Sequence, residues 1–586
     1  MKSRESVEKN KFFTSRMFYR FLIPSMMVSI GLSLSNIADA LVVGAKMGET
    51  GLAAIGLVTP IFMIFNVMDL GIAIGGSVKY SRLLGEGKAQ AGVRDFNQML
   101  YASLLISILM ALLGCMFLPS IMRLLGTVPS DGALYMAASS YAGILFMSAP
   151  LFFLNFLFYF YIRCDDNQKL ASIGLFIGNS VDIILNIVFV ILLHMGVEGA
   201  AFATVIGKAA AICIYLPHLL RKHRILRFEL TRPDLKLILN NFRNGFSSSS
   251  RYLFQFILFI IMNNMLMQIG GEDGLAIFDV TVNFSYILFA VYEGIGSSIQ
   301  PLIGTFYGEK NRKAIRITLS LALRWSFLLG TAAALTVVFM AVPICSLFGL
   351  STDNLVLGSI AVRLLCISTV FGGFSVVMGC YYQAIGKEKL VLLINFLRTF
   401  ALYLIFAFLF AALGIRSVWW MFPATELASF IVWGLWKGSM DRTSPMSWEM
   451  LKVERILSQT IEKKEDFSLL TTEVESFCDR WSASPTQQYY VNLMVEEICQ
   501  AIILYGFTEL ENGYIELTLI ANEDSTFELH IRDNAIKYNP FDMKTKRLEN
   551  DSDEGMEGIG ILMVKSKARE FFYRRYQGFN TLTVKV

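Results

Sequence analysis

The chain has 586 residues, 55% of them hydrophobic and only 17% charged, with a mean hydropathy of +0.54. A soluble protein of this size carries roughly a quarter charged residues, so the composition excludes an ordinary cytosolic enzyme. A net charge of +4 is too small to argue for a nucleic-acid partner.

The opening MKSRESVEKNKFFTSR is polar and basic and is followed by no small-residue cleavage site, so no signal peptide is expected. Apolar runs long enough to cross about 30 Å of hydrocarbon come at 18–44, 52–79, 97–122, 134–161, 171–193 and 197–219. A second set comes at 248–269, 275–306, 317–347, 357–384, 390–413 and 417–436. The break between the first two runs, GETGLAA, returns as GEDGLAI, with Gly51 and Gly274 standing 223 positions apart. At the same offset Gly48, Glu49, Leu52, Ala53, Ile64, Gly71, Ile72, Gly85 and Glu86 meet identical residues. Such a repeat marks an internally duplicated membrane protein. The expected organisation is a six-helix lobe (1–220), a basic link (221–245), a second six-helix lobe (246–440) and a tail domain (441–586).

Lys and Arg gather in alternate connections, including Lys79, Arg82, Lys88, Arg94, Arg163, Lys169, the link, Lys310, Arg312, Lys387 and Lys437. The bias toward basic cytoplasmic loops then puts both termini in the cytoplasm of a bacterial plasma membrane. Eight cysteines and four histidines are scattered without metal-ligand spacing, so no metal is expected.

From Asp441 the composition becomes that of a soluble α+β domain of about 140 residues, enough for a core of its own. LSQTIEKKEDFSLLTTEVESFCDRW reads as a strand and a helix, and YYVNLMVEEICQAIILYGF as an amphipathic helix. YIELTLIANE and FELHIRDN alternate like paired strands. GIGILMVKSKAREFFYRRY is expected to be a helix, and NTLTVKV a closing strand.

Charge inside the apolar runs costs about 2.5–3.5 kcal/mol at the bilayer centre on insertion scales, so each such residue needs a reason. Asn36 and Asp39 stand three apart, on one face of the first helix, and Asp182 and Asn186 four apart on the fifth. If those helices meet, the four groups form an oxygen-rich pocket able to hold a proton or Na⁺; the alternative is a hydrogen-bonded cluster that only packs helices. Glu293 sits in a glycine-flanked stretch, AVYEGIGSSIQP, and Asp69 stands near the equivalent place in the first half. Both either face a central cavity or pair locally. Gln255 is a neutral polar group midway along an apolar run, and Arg398 and Glu426 are positioned to pair with each other.

The first 440 residues resemble the multidrug and toxic compound extrusion (MATE) antiporters. The resemblance rests on IPSM…SNIADALVVGAKMGETGLAAIGL, GVEGAAFATVI (196–206), IQPLIGTFYGEKN (299–311) and RCDDNQK (163–169). It implies an all-α fold of twelve transmembrane helices in two pseudo-symmetric lobes that rock about a central cavity. It also implies exchange of H⁺ or Na⁺ for an organic, often cationic, small molecule. Asp39 matches the family's helix 1 carboxylate, and Thr204 a threonine near the same pocket. The family's Asn-then-Asp order on helix 5 is reversed here as Asp182 then Asn186. Gln255 stands where some members carry a glutamate, and the helix 10 carboxylate of some members has no counterpart.

The tail resembles the GHKL-type ATP-binding fold, nearest the anti-sigma-factor serine kinases. Glu497 matches their catalytic glutamate, Asp533 and Asn534 the adenine motif, and Gly558 and Gly560 the phosphate loop. Where the resemblance places the metal-binding asparagine stands Ala501, and a methyl group cannot ligate Mg²⁺. ATP binding without turnover, or docking to a cytoplasmic protein partner or to the transporter's inner face, is the role this implies. Two other readings stand beside the antiporter: a membrane receptor signalling through the tail, and a flippase for a lipid or cell-wall intermediate.

Overall fold

The computed structural model describes residues 2–125, 127–220, 225–347, 354–443, 455–461, 467–507, 513–542, 559–576 and 578–586. The first lobe is built from α1 (Lys2–Gly85), α2 (Ala89–Met116), α3 (Leu118–Leu124), α4 (Ala133–Cys164), α5 (Gln168–Asn186) and α6 (Gly196–Leu219). The second holds α7 (Leu235–Gly308), α8 (Arg312–Leu347), α9 (Leu355–Ala384), α10 (Glu388–Phe396), α11 (Leu402–Ala411) and α12 (Met421–Thr443). Nine stretches among the described residues are long and apolar enough to span a membrane. The other three expected runs, 18–44, 248–269 and 417–436, are also helical.

The opening helix of each lobe merges two expected spans. In α7 the break falls at Gly271, whose backbone leaves the helical region at φ 59°, ψ −151°. In α1 helical hydrogen bonding continues through the expected break at 48–54, yet the chain has to double back. Met26 lies against Gly294, and Arg82 against Gly308. At 1.5 Å per residue a straight helix holds residues 26 and 82 about 84 Å apart, whereas 294 and 308 are about 21 Å apart. The fifth span of each lobe relaxes into a π-helical turn, Ile187–Leu192 after α5 and Leu397–Ala401 between α10 and α11. Such turns often sit beside functional groups.

The two lobes close on each other at the end that carries the tail domain. A Cβ on Gly85 would lie 2.3 Å from the Thr305 carbonyl oxygen and 3.1 Å from Gly308 Cα. One on Gly308 would meet the Arg82 carbonyl oxygen at 2.4 Å, and one on Gly75 the Asn241 carbonyl oxygen at 2.0 Å. Backbone touches backbone along this seam, and only glycine permits that approach. The link between the lobes is held by α2: Gln98 donates to the Arg232 carbonyl at 2.9 Å and accepts from the Asp234 N–H at 2.7 Å.

The tail is a two-layer sandwich. Strands β1 (Ile456–Ile461), β2 (Ile515–Ala521), β3 (Phe527–Asp533), β4 (Glu570–Tyr576) and β5 (Phe579–Lys585) form an antiparallel sheet in the order β1-β2-β3-β5-β4. Helices α13 (Phe467–Arg480), α14 (Pro485–Ala501) and α15 (Ile559–Lys567) cover one face. Val474, Phe477, Val495 and Ile498 there meet Leu517, Leu529, Ile531 and Val584 of the sheet. A capping box, Ser484 with Gln487, starts α14. The helix expected over 558–576 is shorter than its sequence suggests. It ends at Lys567, and Glu570–Tyr576 is a strand paired with β5 around Gly578, whose φ of 85° suits the hairpin.

Candidate functional site

Within the first lobe, Asp182 of α5 is the centre of a buried polar group. Ser35 of α1 donates to its Oδ2 at 3.4 Å, so the first and fifth spans do meet. Thr204 and Lys208 of α6 lie beside the same carboxylate. Gly207 makes this approach possible, because a Cβ there would lie 3.0 Å from Asp182 Cβ. Asp182 Oδ1 is buried and makes no hydrogen bond among the described residues. A buried carboxylate oxygen without a donor is costly as an anion and calls for a proton or a cation. Asn186 is buried one turn further along, at the start of the π turn. Asp69 is buried on the second span, within charge range of Lys208. The side chains of Asn36 and Asp39 lie outside the described residues.

Lys208 escaped the sequence reading, although the rule that singled out Asp182 applies to it equally. It is an ionisable group inside an apolar run, one helical turn beyond Thr204. Arg251 escaped in the same way, and it changes the reading of Glu293. Its guanidinium pairs with the Glu293 carboxylate at 2.6 Å and donates to the Tyr252 hydroxyl at 2.9 Å. Both members of the pair keep partial access, 32% and 40% of their side-chain surface. Gln255 donates to the Tyr286 hydroxyl at 3.1 Å, and Ser33 of the first span donates to the Tyr286 carbonyl at 3.4 Å, a contact between lobes. In the second lobe Arg398, within the π turn, holds both oxygens of Glu426 at 2.9 and 2.8 Å. The duplicated fifth spans thus carry Asp182, whose Oδ1 makes no hydrogen bond among the described residues, in one lobe and Arg398, closed in an ion pair with Glu426, in the other.

At the tail-side end of the first lobe, Asp165 of the RCDDNQK turn accepts from the Tyr80 hydroxyl at 2.7 Å and contacts His218 Nε2 at 2.9 Å. This ties α1, α4 and α6 into a plate on which the tail rests.

In the tail, Glu497 of α14 meets Gly560 of α15, and Asp533 lies on the sheet face that the helices cover. Asp533 ends β3 and accepts from Asn580 Nδ2 at 2.7 Å and from the Ala535 N–H at 2.9 Å. Burial nevertheless pushes its carboxyl up to about 7. Asn534 accepts from the Tyr514 N–H at 2.8 Å. Glu497 sits against the start of α15, where a Cβ on Gly560 would lie 2.0 Å from its Cδ. Gly558 lies outside the described residues. These residues do not fit Mg²⁺–ATP. Ala501 is packed into the core and has no ligating atom for Mg²⁺, and the Glu497 carboxylate lies against Gly560, where it would repel a phosphate.

Two helical lobes closed over a polar group, with an appended ATPase-fold sandwich, define a membrane transporter carrying a cytosolic-type domain. The MatE family model matches residues 24–188 and 248–409, more than half of the chain, and the chain belongs to that family. A model described as a histidine kinase-like ATPase domain matches residues 462–586. The probable multidrug resistance protein YoeA of Bacillus subtilis is 24% identical over 443 residues, covering 72% of this chain and 94% of its own length. The multidrug export protein MepA of Staphylococcus haemolyticus is 24% identical over 439 residues, covering 73% and 95%. A solved outward-facing multidrug resistance MATE transporter superposes with a TM-score of 0.68 at 23% identity, covering 73% of this chain and 96% of that one. Each of these relatives covers about three-quarters of this chain and nearly all of its own length.

Proposed function

We propose that this chain is an ion-coupled antiporter of a bacterial plasma membrane, exporting organic cationic or amphipathic compounds by rocking of its two lobes. In this reading the tail-side face is cytoplasmic, both termini lie inside, and the tail regulates transport and turns over no nucleotide. The observation that carries it is the buried Asp182 carboxylate, with one oxygen making no hydrogen bond among the described residues and the α1, α5 and α6 spans converging on it. The names of the relatives, multidrug resistance and multidrug export, fit the direction and breadth of transport.

Lys208 favours the proton as coupling ion. The Lys208 ammonium lies within charge range of both Asp182 and Asp69, so a second cation, Na⁺, bound there would meet its repulsion. A proton neutralises one carboxylate and weakens its attraction to Lys208, which changes the charge balance between α5 and α6 without adding a second fixed cation. Asp39 stands as the second carboxylate of this site through its resemblance to the family. The Arg251–Glu293 pair and Gln255 form the polar part of the substrate path.

The test is export of a fluorescent organic cation from vesicles under an imposed ΔpH or ΔNa⁺. The reading expects ΔpH to drive it and ΔNa⁺ alone to fail; export under neither gradient removes the antiporter.

A further inference from the structure

The free face of the tail's sheet carries Glu516, His530, Arg532, Arg574, Thr581 and Thr583. By strand alternation these point away from the helices, and an isolated sandwich would leave them to water. All six are less than a tenth exposed, because the ends of both lobes cover them.

The footing on the second lobe is polar and specific. Arg532 forms a buried ion pair with Glu309, which directly follows α7, and lies over the Phe306 ring at 4.7 Å. Asn311 donates to Glu516 at 3.1 Å, and Arg574 to the Thr305 hydroxyl at 3.2 Å. The footing on the first lobe is apolar and close. Phe572 packs into that lobe's core. Gly87 lies so near the sheet that a Cβ on it would sit 3.3 Å from Phe572 and 3.5 Å from Thr583. Phe21 of α1 meets Tyr576 with ring centroids 6.0 Å apart. Arg574 serves both sides, since Asp165 and Asp166 of the first lobe place their charges around it. Between the footings lies a cavity of about 340 Å³ lined by Glu86, Lys88, Tyr307, Lys310, Glu570 and Lys585.

The two footings are the two copies of one repeated turn. Gly85–Glu86 and Gly308–Glu309 stand at the 223-residue offset, and their glycines are the point where the lobes touch. A hydrogen-bonded five-stranded sheet moves as one body. The lobe ends cannot separate under it without stripping the sheet from one of them.

We propose that the tail is a latch on the cytoplasmic gate: its sheet face bridges both lobes and holds their inner ends together, and the transporter opens inward only when the Arg532–Glu309 footing lets go. The latch rests on the reading of this end as the cytoplasmic gate of a rocking transporter. It gives the retained sandwich a purpose that needs no ATP hydrolysis. Asp533, on the helical face of β3, directly follows Arg532, on the face toward the gate, so a change at one is one residue from the other.

The test reads the gate directly. Ser81 is fully buried in the seam, where a Cβ on Gly304 would meet its hydroxyl at 2.2 Å. Ser81→Cys in the full-length chain is labelled from the tail side with a membrane-impermeant maleimide, with the rate taken above the background of the native cysteines. Arg532→Ala leaves Glu309 buried without a partner, so the docking equilibrium shifts by a factor on the order of 100 or more and the labelling rate rises with it. Glu309→Gln, which leaves the tail's own sequence intact, gives a rise of the same direction and serves if Arg532→Ala fails to accumulate. The exchanged pair Arg532→Glu with Glu309→Arg returns the rate toward that of the parent. Labelling unchanged in both single variants overturns the latch. The readout is separate from transport. A rate that rises in a protein exporting nothing under either gradient keeps the latch and removes the antiporter, and export with an unchanged rate does the reverse.

Discussion

Gly85 and Gly308 meet across the lobe boundary, each standing where a Cβ would run into the other lobe's backbone, at 2.3 Å from the Thr305 oxygen and 2.4 Å from the Arg82 oxygen. They are also the same residue of the internal repeat. The contact that closes the tail-side end is therefore symmetric in origin, and its tolerance for added volume is small from either side.

Gly308→Val accordingly forces the lobe ends apart rather than simply loosening a core. Overpacking of this kind costs about 1–3 kcal/mol, and here the strain falls on the closed state alone. The expected result is faster tail-side labelling of a seam cysteine with little loss of folded protein. Labelling at the parent rate contradicts the close approach.

Arg398 and Glu426 hold each other in the second lobe with 17% and 11% of their side chains accessible. Arg398→Ala leaves a largely buried carboxylate without a partner, which costs about 3–5 kcal/mol. Replacing both, Arg398→Met with Glu426→Leu, recovers most of that loss. Thermal unfolding in detergent, with the two single variants and the double, checks the coupling; additive losses contradict it.

The tail should lose stability as pH rises. Burial holds Asp533 at about 7, against about 3.9 in an unfolded chain. Between those values the folded state binds the proton that the unfolded state has released. Stability is then greatest below about pH 4 for this group and falls as pH climbs through 7, by an amount of order 4 kcal/mol. Hydrogen exchange at β3 and β5 in the full-length protein, corrected for intrinsic rates, follows it from pH 5 to 8. Asp533→Asn should flatten that dependence, and an unchanged slope contradicts the assignment.

Mg²⁺–ATP should leave the tail's unfolding where it is. A ligand at a hundred times its Kd stabilises a native protein by about 2.7 kcal/mol, which is easily read as a shift. Absence of the shift at millimolar nucleotide agrees with the Glu497 carboxylate lying on Gly560. A shift of that size contradicts the misfit.

Much of the fold was legible because hydrophobicity and repeat spacing are local records. The apolar runs became helices, and the break at Gly271 fell where the repeat placed it. The misreadings have physical causes. AREFFYRRY carries no Gly or Pro to separate it from the helix before it, and it became β4 because β5 offered it a partner. Glu86 and Glu309 are identical in the repeat, yet Glu86 pairs with its neighbour Lys88 at 2.9 Å while Glu309 is buried under Arg532. Only the docked tail distinguishes them, and docking leaves no periodic trace in sequence. The alternation of Glu516, His530 and Arg532 marks a polar sheet face without saying what covers it. Lys208 and Arg251 were visible as charges in apolar runs, but the carboxylates near them, Asp182 and Asp69 for Lys208 and Glu293 for Arg251, lie on other spans.

The most direct measurement is ΔpH-driven export of an organic cation by vesicles carrying the parent chain and Asp182→Asn, at matched protein levels. The account predicts export in the parent and its loss in the variant, with substrate binding retained. Undiminished ΔpH-driven export in Asp182→Asn would contradict it.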